Sequence, residues 1–303
     1  MSRTYATAAA FKQALDVRLA EEARRLGQPI TRVRQMLVFQ RLIARVLARR
    51  PGRVIVKGGV VVELRTAGAR TTKDVDLWWQ GGATGVLDEL REASAGTDLD
   101  PFTFEVTRDR RRPDLVAAGM KYDGQRFRVQ AKLAGRPFAD PFGVDVAFAE
   151  PLSDTPDEIL GADYLGFAGI APPRIAVYPR PVHIAEKVHA LTLPRKRPNS
   201  RVKDLPDIAL LAQIGTLEAI TIRGALARTF AHRATHELVV TLPVPPNSWA
   251  PAYERMARTD GLKWLTLDML NGAVRAFLDP VLAGEAIDAW NPETWTWSPT
   301  GEG

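Results

Sequence analysis

The sequence predicts an α+β protein: two basic N-terminal helices, a mixed-sheet core and a mainly helical C-terminal half. Three observations predict it. Apolar residues recur every three or four positions through the first fifty residues, as one buried face of a helix requires. Between Val54 and Phe148 the pattern changes to short β-branched and aromatic runs that alternate with polar residues. From Pro181 to about Asp288 the helical period returns. Strands mixed with helices, followed by a run of helices, make an α+β layout. The boundaries fall at 1–52, 53–178 and 179–303.

Each element has its own reason. Phe11, Leu15, Leu19 and Ala23 make the apolar stripe of a helix over residues 5–26, broken by Gly27-Gln28-Pro29. Val33, Met36, Phe39, Ile43, Val46 and Leu47 give a second helix over 30–49, ended by Pro51-Gly52. Val54-Ile55-Val56 reads as a strand stopped by Lys57-Gly58-Gly59, with a short helix over 60–65. Val75, Leu77 and Trp78 mark the next strand, and residues 84–94 a helix. Alternation at Phe102/Phe104/Val106, Phe127/Val129 and Val144/Val146/Phe148 predicts three further strands. Arg108 to Arg112 is a charged turn between strands, read most simply as a solvated loop. Residues 151–178, rich in Pro and Gly, read as a connector with a short helix. The tail carrying Trp290, Trp295 and Trp297 has no clear period.

Composition excludes several classes. The chain has 303 residues, 46% hydrophobic and 25% charged, which is globular rather than disordered. It has no cysteine, so a disulfide scaffold, a Cys-ligated zinc site and a thiolate nucleophile are ruled out. No apolar run approaches the roughly 18 residues of a membrane span, and Met1 to Ala10 lack a signal pattern. A cytoplasmic protein without a membrane partner is expected. The net charge is +6, with 11 Lys/Arg against 3 Asp/Glu in residues 1–50. Arg34, Arg41, Arg45 and Arg49 fall on one stripe of the second helix. Such a stripe is either a plain solvated face or a surface for an anionic partner such as nucleic acid.

The chemistry concentrates in three acids and a double glycine. Asp74 and Asp76 are two apart on a predicted strand, so both carboxylates share a face. Asp145 interrupts the otherwise apolar Val144-Asp145-Val146. Carboxylates so placed need a cation among them, and oxygen donors of this kind suit Mg²⁺ bridging to substrate phosphates. On neighbouring strands Asp74, Asp76 and Asp145 would serve in-line phosphoryl or nucleotidyl transfer. Gly58-Gly59, closing a strand and opening a helix, lets backbone approach a phosphate closely. Further along, Lys187 sits on a helix whose apolar face is Ile184, Val188 and Leu191, where a cation can neutralise triphosphate charge. His183 and His189 flank it as ordinary helix histidines, and His232 and His236 cannot close a zinc site on their own. The basic stretch Arg195-Lys196-Arg197, Arg201, Lys203 is a solvated loop or an RNA-backbone contact. Trp78-Trp79 favours packing over base stacking.

In its order and spacing this set resembles the nucleotidyltransferase superfamily with the DNA polymerase β-like fold, and more closely the AbiEii/AbiGii toxin family of type IV toxin–antitoxin systems. The resemblance rests on Lys57-Gly58-Gly59, on Arg70, Thr72, Asp74 and Asp76, on Ala185-Glu186-Lys187, and on Arg201-Val202-Lys203-Asp204-Leu205-Pro206-Asp207. It covers residues 54–215. Pro206 departs from the pattern; proline is tolerated in a first helical turn, so that helix should start close to Lys203.

The resemblance implies a toxin that moves nucleotides from an NTP onto RNA, at the 3′ acceptor end of tRNA, and so blocks translation. It implies Mg²⁺ at Asp74, Asp76 and Asp145, and triphosphate binding by Lys57, Gly58, Gly59, Arg70 and Thr72. Lys187 would stabilise developing charge, with Asp204 or Asp207 orienting Lys187 or the base. The partners implied are an NTP, tRNA and a cognate antitoxin protein. Two alternatives stand beside this reading: a nucleotidyltransferase acting on a small molecule such as an antibiotic or on a protein, and a non-catalytic RNA- or protein-binding module.

Overall fold

A computed structural model of the chain describes residues 5–66, 70–96, 99–115, 124–149, 154–195 and 201–299. They fall into two compact units. The first holds the chain up to Val60 and most of Thr72–Val177; the second holds Val61–Thr71 and the chain from Tyr178 onward.

The first unit opens with α1 (Ala8–Leu26), capped by the Thr7 hydroxyl and closed at Gly27 with φ +62°. Next come α2 (Ile30–Arg49), β1 (Val54–Lys57) and the start of α3 (Gly58–Arg65). After β2 (Asp74–Gln80) and α4 (Val86–Ala95) the chain forms β3 (Phe102–Arg108), β4 (Gly124–Leu133), β5 (Arg136–Pro137) and β6 (Phe142–Ala149). β7 (Asp157–Leu160) and β8 (Arg174–Val177) complete it. The strand order is β3-β4-β6-β2-β1-β8-β7, with β5 on β4. β2 runs parallel to β6 and β1 parallel to β8; the other pairings are antiparallel. This is the expected mixed sheet. One face is apolar: Val75, Leu77, Phe127, Val129, Val144 and Val146 are buried. Alternation leaves the other face to the charged residues of the same strands.

Two expectations change here. Residues 151–178 hold two strands as well as a short helix; at four residues each, β7 and β8 are too short to show alternation. The arginine stripe of α2 is not a plain solvated face: of its four arginines only Arg49, at the helix end, is exposed. Arg41 and Arg45 are 5% and 3% exposed and both bond Asp100, whose side chain is wholly buried. Arg45 also donates to the carbonyls of Ser94, Asp100 and Phe102. Arg34 pairs with Asp16 and Arg49 with Glu92. The cause is packing: α2 contacts α1, α4, β1 and β8, so little of its circumference reaches water.

The second unit is helical, as its periodicity predicts: α5 (Arg180–Thr192), α6 (Asp204–Ala212), then, after β9 (Leu217–Glu218), α7 (Ala219–Arg233), α8 (Ala250–Asp260) and α9 (Leu267–Leu282). The tryptophan tail is a hairpin, β10 (Ile287–Asn291) and β11 (Thr296–Pro299), in a three-stranded sheet of order β11-β10-β9. Trp290 and Trp297 pair across it. The indole N–H groups of Trp290, Trp295 and Trp297 donate to the carbonyls of Ala212, Ala273 and Phe277, each at 2.9 Å. The three indoles therefore cluster around Phe277 of α9 with their N–H groups satisfied. Among the described residues no helix is long and apolar enough to cross a membrane.

Candidate active site

On the charged face of the large sheet, four residues stand side by side. Register pairs Lys57 with Asp76, Asp76 with Asp145, and Asp145 with Arg126. The row crosses β1, β2, β6 and β4 with two acids in the middle and a cation at each end. One row along, Asp74 pairs with Gly143 and Gly143 with Arg128. Both glycines beside the acids keep space for them. A Cβ on Gly143 would run into the Asp74 carboxylate, and one on Gly58 into that of Asp76. Gly58 also has φ +68°, a conformation other residues rarely adopt. The double glycine and the Asp-x-Asp are thus one steric unit: β1 turns into α3 directly against Asp76.

The acids differ in setting. Asp74 is exposed and accepts from the Gly143 N–H at 3.2 Å; Asp76 is half-buried. The Thr72 hydroxyl donates to the backbone carbonyl of Asp74 at 3.3 Å. Asp145, expected as a third carboxylate of an acidic cluster, is gripped by Arg126 through two bonds of 2.6 and 2.5 Å. That bond, with Asp145 and Asp74 nearby, raises the Arg126 pKa above its ordinary value against the pull of burial. Among the described residues no three His, Asp or Glu side chains converge as ready metal ligands. Asp74 and Asp76 still match the chemistry of a hard divalent cation: two carboxylates on one sheet face, each beside a glycine that leaves it room. Sequence reasoning passed over Arg126, although Arg126-Phe127-Arg128-Val129 alternates plainly and puts both arginines on the face of Asp145.

The remaining expected residues form a second cluster, within the helical unit. Lys187 on α5 contacts Asp204 at 3.1 Å and Asp207 at 2.6 Å. Arg70 grips Asp207 with two guanidinium nitrogens. Asp207 is fully buried, and Arg70, Asp204 and Lys187 are 4%, 7% and 9% exposed. Burial opposes the Lys187 charge, but Asp207 and Asp204 outweigh it and hold its pKa above the usual lysine value. Both acids lie in the first turn of α6, where the helix dipole favours them; Lys203 is the N-cap. The structure thus answers which acid faces Lys187: both do. Arg70, expected at the triphosphate, is committed to Asp207. Of the expected basic loop, Lys196 and Arg197 lie outside the described residues.

A mixed sheet presenting paired carboxylates against a glycine turn defines a nucleotidyl-transfer type of core. Residues 41–288 match the family described as the nucleotidyl transferase AbiEii toxin of type IV toxin–antitoxin systems, and the chain belongs to that family. The protein is accordingly a nucleotidyltransferase, and membership brings an NTP substrate and an antitoxin partner. Among solved structures it is similar to MenT4, a nucleotidyltransferase toxin of Mycobacterium tuberculosis H37Rv, with 16% identity, 94% of each chain covered and a TM-score of 0.56. It is also similar to JHP933 of Helicobacter pylori, with 12% identity, 82% of this chain and 92% of that one covered, and a TM-score of 0.43. Comparison with curated proteins gives no match.

Proposed function

We propose that this toxin acts on RNA, transferring nucleotides from an NTP with Mg²⁺ to the 3′ acceptor end of tRNA, and so blocks translation in the cytoplasm. The observation that carries the reading is the carboxylate face: Asp74 and Asp76 side by side, with Asp145 in register and held by Arg126. In the reaction the acceptor hydroxyl oxygen bonds to the α-phosphorus while the bond to the β-phosphate oxygen breaks, releasing pyrophosphate; the hydroxyl proton passes to solvent or a carboxylate. Mg²⁺ at Asp74 and Asp76 would neutralise charge on the transferred phosphate. Gly58 and Gly59 admit the triphosphate close to the start of α3. Arg126 holds Asp145 in place beside Asp76. Lys187, to which the resemblance assigns the stabilising of developing charge, belongs to the helical unit. Arg70, Asp204 and Asp207 hold its ammonium in place as positioning residues.

The test is incubation of the purified protein with total bacterial tRNA, Mg²⁺ and each labelled NTP in turn, beside Asp76→Ala. Label entering tRNA from one NTP, and lost in the variant, is the expected result. Wild-type protein that labels a small molecule or a protein but never RNA would overturn the acceptor assignment.

A further inference from the structure

We infer that the β3–β4 turn, Arg110 to Arg112 with Arg128 beside it, is the dock for the phosphodiester backbone of the acceptor RNA. The inference rests on the RNA-acceptor reading above and adds the place and direction of entry.

Hydrogen bonds shape the described part of the turn, residues 109–115. Asp109 accepts hydrogen bonds from the backbone N–H of Arg111 at 2.8 Å and of Arg112 at 2.9 Å. Arg108 and Asp114 close its base with an ion pair of 2.7 Å. The Asp109 N–H donates to the Arg126 carbonyl, and the Arg126 N–H to the Pro113 carbonyl, both at 2.9 Å. The turn is therefore tied to the residue that grips Asp145.

Its charges are left over. Residues 108–114 contain four arginines and two aspartates. Asp109 is engaged with backbone and Asp114 with Arg108. Arg110, Arg111 and Arg112 are all exposed, and among the described residues their side chains have no ion pair. Arg128 is likewise exposed without one, on the same sheet face as the acids. It stands two strands from Asp74, roughly 10 Å by ordinary strand spacing. By contrast, the α2 arginines that the sequence offers for this purpose are all paired: Arg41 and Arg45 with the buried Asp100, Arg34 with Asp16 and Arg49 with Glu92.

The order across the sheet gives direction. The glycine turn and α3 lie on the β1 side of the acids, and the arginine turn on the β4 side. With the triphosphate at the glycine turn, an acceptor strand held by Arg110–Arg112 and Arg128 reaches the carboxylates from the opposite side. Repeated unpaired arginines suit repeated phosphates; a neutral small acceptor has no use for them.

The experiment measures binding of fluorescently labelled bacterial tRNA by anisotropy across about 50 to 200 mM salt, a range over which phosphate contacts weaken visibly. It compares wild type, the triple variant Arg110→Gln/Arg111→Gln/Arg112→Gln, and a charge-matched control, Arg18→Gln/Arg255→Gln/Arg258→Gln. Removing three phosphate contacts should lower the slope of log Kd against log salt by about 2 to 3 and raise Kd by on the order of tenfold or more. The control should keep the wild-type slope. Melting curves establish that both variants fold, as exposed side chains allow. A triple variant that keeps the wild-type slope while both proteins bind and label tRNA overturns the dock and leaves the acceptor reading standing. Wild-type protein that binds no tRNA overturns both.

Discussion

Gly58→Ala tests the steric unit at the heart of the site. The added carbon meets two separate costs. Alanine at φ +68° costs about 1–2 kcal/mol in backbone strain. The same carbon would sit 2.6 Å from the Asp76 Cγ and 2.9 Å from its Cβ, too close for any real contact. Asp76 must then leave its rotamer or β2 must shift, adding about 1–2 kcal/mol. Gly52→Ala separates the two terms, because Gly52 has φ +72° and open space around its Cβ. Urea titrations should show Gly58→Ala destabilised by about 2–4 kcal/mol and Gly52→Ala by about 1–2 kcal/mol. In the double variant Gly58→Ala/Asp76→Ala the excess should shrink by about 1 kcal/mol, since the carboxylate is gone. Nucleotide transfer should fall on the order of a hundredfold in Gly58→Ala and remain near wild type in Gly52→Ala, because a displaced carboxylate misplaces the reacting groups. Equal destabilisation of the two single variants would refute the reasoning: Asp76 would then not lie where Gly58 must yield to it.

Three further outcomes are expected. Asp100→Asn strands the buried guanidiniums of Arg41 and Arg45 and should cost about 3–5 kcal/mol in urea, whereas Glu92→Gln, at the exposed Arg49 pair, should cost less than about 0.5 kcal/mol. Asp207→Asn, which serves both Arg70 and Lys187 at zero exposure, should likewise cost about 3–5 kcal/mol; a midpoint unchanged from wild type would show that the cluster is not closed as described. His189 is pulled down to about 4 by burial and by His236, with its Nε2 2.8 Å from the Thr235 hydroxyl. Its folded pKa lies below its unfolded one, so the folded state refuses a proton the unfolded chain accepts. Stability should be full above about pH 6.5 and fall by roughly 1–2 kcal/mol as the pH drops toward 4, after discounting for partial solvent access. His189→Gln should flatten that decline in urea midpoints between pH 7 and 4.5, and an equally steep decline in the variant would remove His189 as its source.

The legible parts of this chain were those where period and chemistry coincide. Gly58-Gly59 and Asp74-x-Asp76 could be read together because each demands a particular residue type at a fixed spacing on a strand or turn. α2 was legible to the residue because Pro29 and Pro51 bracket a continuous helical period. β7, β8 and the tryptophan hairpin were not, since strands of four or five residues give too few alternations to outweigh their flanks. Arg126 was hidden for a different reason. Its importance lies in a strand pairing, Arg126 with Asp145, between residues 19 apart, and no local pattern encodes a partner across a sheet.

Charge was the most misleading signal, and the reason is general. The excess of eight positive charges in residues 1–50 is real, but a count along the chain does not say where charge reaches water. α2 packs on several sides, so Arg41 and Arg45 reach inward to a single aspartate 55 to 59 positions away. Residues 51–150 look neutral, with 15 charges of each sign, yet they hold the exposed arginines of the β3–β4 turn. Their neutrality is an average over carboxylates that are occupied elsewhere: Asp100 under α2, Asp109 in its own turn, Asp145 on Arg126. The field an approaching polyanion meets is set by what is left unpaired at the surface. On that measure the exposed basic surface of the sheet unit sits two strands from Asp74, on the side where we propose that the acceptor strand is held.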